Sequence, residues 1–141
     1  MFTYRLVFIA PLILVLISIV KARHPFDIFH WNSKDFEECL HVNNISISEY
    51  EKYARFETLD YLLNESVDLR YKCNIKCQLE RDSTKWLNDK GKMDLDLINA
   101  TSEAAESITK CMHQASEEPC AYSFKLVICA FKAGHPTTDS E

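Results

Sequence analysis

Glycine is almost absent from this chain. Gly91 and Gly134 are the only two in 141 residues, and four prolines complete its stock of turn-making residues. An all-β domain turns about every ten residues, and its tight turns draw on those residue types. So sparse a supply excludes a sandwich or barrel and leaves helices as the default. Internal repeats, low-complexity stretches and a linker marked by composition are missing too, which leaves one domain. A basic excess is also lacking, since 16 Lys and Arg face 21 Asp and Glu for a formal net charge of −5. A mildly acidic chain is a poor match for nucleic acid or for an anionic membrane surface.

The signatures of hydrolytic chemistry are absent as well. No G-x-S-x-G or H-E-x-x-H pattern occurs. A secreted phospholipase A2 would need a His-Asp dyad and a glycine-rich calcium loop. The five histidines here instead precede Pro25, Trp31, Val42, Gln114 and Pro136. His113 reads as a partly exposed helix residue, and Asp94 with Asp96 as a helix start and not a metal site. No enzyme activity, metal or cofactor is expected.

What the chain does have begins with a leader. Arg5 precedes an uncharged run from Leu6 to Val20 that is apolar except for Ser18, and Val20-Lys21-Ala22 offers modest side chains around a cleavage point. That is the anatomy of a secretory signal peptide. The fifteen residues of the run, at ~1.5 Å each, fall short of the ~30 Å hydrocarbon core, so no stable membrane insertion is expected. Cleavage after Ala22 assigns residues 1–22 to the signal and 23–141 to the domain. Losing Arg5 and Lys21 makes that domain more acidic than the whole chain. Three sequons, at Asn44, Asn64 and Asn99, are N-glycan acceptors that accord with export.

Helical periodicity and end signals divide the domain. A first helix is predicted after Ser33, carrying Phe36, Cys39, Leu40 and Val42. A second begins at Ser48, where Ser48-Glu-Tyr-Glu51 has the form of a capping box. From Val67 to Leu79, Val67, Tyr71 and Ile75 repeat at helical spacing, with Leu69, Cys73 and Cys77 on a neighbouring stripe. Gly91 marks a turn, and Asp94 to Ile98 a short helix. Ser102 to Ala115 is the clearest amphipathic segment: Ala104, Ile108, Cys111, Met112 and Ala115 share one face, and Glu106 and Lys110 pair on the other. A last helix starts near Pro119 and ends before Gly134.

The six cysteines, Cys39, Cys73, Cys77, Cys111, Cys120 and Cys129, carry the most information. They are separated by 33, 3, 33, 8 and 8 residues. An even number in a small exported chain implies a disulfide framework, and zinc would want C-x-x-C pairs in place of C-x-x-x-C. Cys73 and Cys77 lie one helical turn apart, too distant for a good bond. Cys120 and Cys129 are ~13.5 Å apart along a helix and half a turn out of phase. Excluding both pairs leaves ten of the fifteen connectivities that six cysteines allow.

The pattern resembles that of the insect odorant-binding proteins: a long gap, C-x3-C, a second long gap, a spacing of eight to fourteen, then C-x8-C. Cys73-Asn-Ile-Lys-Cys77 and Cys120-x8-Cys129 stand in that order, with Cys111 eight residues before Cys120. The match spans almost all of residues 23–141. It implies the pairing Cys39–Cys77, Cys73–Cys120 and Cys111–Cys129, in a compact all-α bundle of about six helices stapled around an apolar cavity. It also implies a secreted carrier that takes a small hydrophobic molecule (odorant, pheromone or tastant) through sensillar lymph to a chemosensory receptor.

Candidates for the cavity wall are Phe56, Leu59, Leu62, Trp86, Met93, Leu97, Met112, Phe124, Val127, Ile128 and Phe131, since methionines and aromatics fill irregular space and adapt to varied ligands. The rival is a secreted signalling or host-interaction protein on the same scaffold, acting through its surface. An apolar cavity favours the carrier, and a solid core with an exposed apolar patch favours the rival. Five histidines are the groups that titrate unshifted between about pH 5 and 8, but most look exposed and the short tail is a poor plug, so the sequence does not decide on pH-gated release.

Overall fold

The computed structural model describes residues 25–28, 34–54, 59–64, 66–82 and 85–135. The expected signal peptide and Phe56 lie outside the described residues. Among the described residues a 3-10 turn at Pro25–Ile28 precedes seven α-helices: α1 Lys34–Val42, α2 Ile47–Ala54, α3 Leu59–Leu63, α4 Leu69–Arg81, α5 Leu95–Ile98, α6 Ser102–Met112 and α7 Pro119–Lys132. The all-α class expected from the dearth of glycine is therefore the class observed.

Most starts follow from a short polar residue that satisfies free amides at a helix N-terminus. Asp68 accepts from Arg70 N at 2.8 Å, Thr101 from Ala104 N at 3.2 Å, and Glu118 from Ala121 N at 2.6 Å, with Pro119 in the first turn of α7. Asp94 accepts from both Asp96 N and Leu97 N.

At α2 the capping box sits two residues earlier than expected. Ser46 N donates to Glu49 Oε2 at 2.9 Å, and Glu49 N donates back to Ser46 Oγ at 3.2 Å. Ser46 N and Ser46 Oγ both donate to that carboxylate and hold it below its ordinary pKa, with Arg70 helping. Ser46 and Ser48 each head an S-x-x-E string. Only the earlier start places Ile45 just before the cap and Tyr50 at the fourth helical position, and both join the buried core.

Two other departures mark the edge of the packed region, and a third is a turn of the backbone. Val42, in the last turn of α1, is 69% exposed, off the stripe of Phe36, Cys39 and Leu40. Leu69, the first residue of α4, is also exposed, whereas Tyr71, Ile75 and Leu79 point inward. Helix α6 stops at Met112 because Gln114 adopts a left-handed φ of 62°, although Ala115 still packs on the core.

Helices α4 and α7 form the main interface, with α1 against α4 and α6 against α7. The disulfides follow the same plan. Cys39–Cys77 ties α1 to α4, Cys73–Cys120 ties α4 to the start of α7, and Cys111–Cys129 ties α6 to α7. They close segments of 38, 47 and 18 residues, for which restriction of the unfolded chain is worth about 3–4 kcal/mol each. An aromatic cluster fills the centre. Phe26 meets Tyr71 and Phe124 at 5.8 and 5.4 Å, and Tyr50 lies between Phe36 and Tyr71. Three polar side chains share this interior: Ser123, and Gln78 with Asn74, Gln78 Nε2 donating to Asn74 Oδ1 at 2.6 Å one turn away on α4.

Candidate functional site

Helices α3, α4, α6 and α7 enclose part of a cleft of about 640 Å³, within the size range of small-molecule pockets. Its apolar lining comes from Leu62 and Leu63 of α3 and from Ala121 and Phe124 of α7. Cys111 also lines it, and the Cys111–Cys129 bond holds α6 against α7 at this point. Phe124 is buried because α7 turns one face to the centre of the fold, where its ring also meets Tyr71 at 5.9 Å.

The polar lining is of one sign. Lys72 reaches in from α4, Lys110 from α6, and Lys125 and Lys132 from α7, beside the neutral Ser107, Gln114 and Ser116. Lys72 Nζ stands 5.7 Å from the Phe124 ring centroid, a cation–π contact that sets a charge at the edge of the apolar floor. Lys110 pairs with Glu106 at 3.5 Å, but both side chains are largely exposed, so the pair is weak. Among the described lining residues there is neither a histidine nor a carboxylate. The described lining offers burial and positive charge.

The expected wall residues do not converge on one surface. Leu62 and Phe124 line the cleft. Trp86 lines a second recess of about 340 Å³, beside Leu79, Leu87 and the 88–91 turn. Met112, Val127 and Ile128 are buried core, while Leu59, Met93 and Phe131 are half-buried. Leu97 turns outward and is 43% exposed, because one-turn α5 directs the adjacent Ile98 to the core. The lysines were not anticipated. Lys125 and Lys132, seven apart on one helix, share a face by simple periodicity, but nothing in the sequence links them to Lys72 or Lys110.

Asn44, Asn64 and Asn99 are all exposed. Asn44 and Asn99 have φ of 53° and 55°, the left-handed region that asparagine tolerates better than most residues. Cys73, Cys120 and Glu118 bring potential metal donors within 4.8 Å of one another. The two sulfurs are bonded to each other, however, and Glu118 caps α7. Among the described residues, no helix is long and apolar enough to cross a membrane.

Fold and site together define a disulfide-stapled all-α domain with a cleft of ligand size. Over 141 residues, the full length of both chains, the sequence is 79% identical to general odorant-binding protein 57b of Drosophila melanogaster. It is 55% identical to general odorant-binding protein 57a of the same species over 135 residues, 96% of this chain and 80% of that one. It is 32% identical to general odorant-binding protein 57c over 98 residues, 65% of this chain and 64% of that one. The chain belongs to the insect odorant-binding protein family. No protein-family model matches the chain, and no solved structure is significantly similar to it.

Proposed function

We propose that this protein is a secreted, non-enzymatic carrier that solubilises small hydrophobic molecules (odorants, pheromones or tastants) and delivers them towards chemosensory receptors. The observation that carries this reading is the 79% identity, end to end, with a protein named for odorant binding. In the same reading, residues 1–22 are a signal peptide cleaved after Ala22. The energetics accord with it. Burying a methylene is worth ~0.8 kcal/mol, so an eight-carbon chain gains ~6 kcal/mol before its head group is counted. Association takes part of that back, and micromolar dissociation corresponds to about −8 kcal/mol. Binding in the micromolar range, tightening with chain length until the cleft is full, is the expected outcome.

The test is displacement of a neutral fluorescent probe by a homologous ligand series, on the wild type and on Phe124→Ala. Loss of affinity on shortening the ring that floors the cleft supports the carrier reading. If no apolar ligand displaces the probe below about 100 micromolar, which corresponds to roughly −5.5 kcal/mol, the rival that acts through its surface takes its place.

A further inference from the structure

We propose that the cleft selects an anionic amphiphile, specifically an unesterified single-chain fatty carboxylate, over neutral ligands of the same length. This rests on the carrier reading and narrows it to a chemical class. The first support is a charge contrast. The chain carries an acidic excess, yet four lysines and no carboxylate line this cleft among the described residues. Elsewhere Lys34, Lys76, Lys92, Arg70 and Arg81 each sit against a carboxylate, as Lys52, Lys85 and Lys90 do not, so what sets the cleft apart is that four lysines share one opening. Among the described residues Lys72, Lys125 and Lys132 have no such partner, although four helices converge there. Gathering like charges is unfavourable unless something negative sits among them.

The second support is the adjacency of charge and grease. A bare inorganic anion would make no use of Leu62, Leu63 and Phe124, and a neutral alcohol would make no use of the lysines. A carboxylate with an alkyl tail uses both, because Lys72 stands directly over the Phe124 ring. Lysine also suits a head group left at a wet mouth. Its ammonium is a compact, hydrated charge on a long apolar stem, which can lie along the tail while the charge stays in water. A recess of about 640 Å³ between helices matches one free chain, not a bilayer surface.

The experiment uses the full disulfide-bonded chain at neutral pH and low salt, with a neutral probe displaced by decanoate, decanol or methyl decanoate. Decanoate is expected to bind about tenfold more tightly than the other two. Lys72→Gln and Lys125→Gln should each weaken decanoate by about three- to tenfold and decanol by less than about twofold. Lys72→Arg should keep the preference, and Lys90→Gln, outside the cleft, should change nothing. Equal affinity for decanoate and decanol overturns the proposal and leaves the carrier reading standing. So do lysine variants that weaken both ligands alike. Displacement by none of the three overturns both readings. Sedimentation with phosphatidylserine-rich vesicles without decanoate binding would assign the charge to a membrane and also overturn it.

Discussion

Two regions of this molecule are held by different means. Helices α1, α4, α6 and α7 are cross-linked by three disulfides around an aromatic and aliphatic core. The segment 85–100 carries no cysteine, and polar contacts supplement the burial of Trp86 and Ile98 in the core. Its hairpin turns at Gly91, with φ of +72°, and closes through the Leu87–Met93 bridge. Asp94 caps α5, and Tyr122 Oη accepts from Met93 N at 3.0 Å. Lys92 lies 4.5 Å over the Tyr122 ring and pairs with Glu117 at 2.6 Å. Trp86 packs edge-on against His135 at 5.7 Å. Covalent ties and burial act on the stability of the whole domain, whereas these polar contacts can open one at a time. The difference predicts that the segment without a covalent tie opens locally more readily than the cross-linked unit.

Breaking the first region should have the largest effects. The double variant Cys73→Ser/Cys120→Ser frees the 47-residue segment and should cost about 4 kcal/mol in guanidinium unfolding. Leu126, fully buried on α7, should cost about 3 kcal/mol when cut to Ala, measured the same way. A change below about 1 kcal/mol for Leu126→Ala would mean that the core collapses around the gap. Effects in the second region should be smaller and local. Tyr122→Phe removes the bond to Met93 N and should cost about 1 kcal/mol. Amide exchange should speed up across residues 85–100 while α4 and α7 stay protected. Equal acceleration in α4 would show that the segment belongs to the core unit. Glu117→Gln removes a partner that is almost wholly exposed and should change global stability by less than about 1 kcal/mol.

The smallest expected effect is a titration. Partial burial against Trp86 lowers the His135 pKa below its ordinary 6.5. The neutral ring is therefore the form the fold prefers. Its contribution is complete above the unfolded value and drains away as pH falls through the lower folded value. A nuclear magnetic resonance titration should place the His135 midpoint below 6.5, with the Trp86 amide shifting in step. A midpoint at or above that value would show the ring to be solvated, leaving the segment without this contact.

Much of this architecture was legible in the residues. Two glycines cannot punctuate a sheet protein, and apolar repeats at helical spacing located α4, α6 and α7 to within a few residues. Asp94, Thr101 and Glu118 are local signals, acting through bonds that reach no further than one turn. Local chemistry could not choose between Ser46 and Ser48 as the cap of α2, because both head an S-x-x-E string. The burial of Ile45 and Tyr50 chose. Nor could it tell that Leu69 and Leu97 would face water, since periodicity identifies a stripe but not where its packing partner ends. The cleft is the clearest case. Lys72, Lys110 and Lys125 each read as an ordinary solvated lysine, and tens of residues of chain separate Lys72 from the other two. They share one opening only because α4, α6 and α7 are packed and cross-linked side by side, and interactions between helices leave no periodic trace in any one of them.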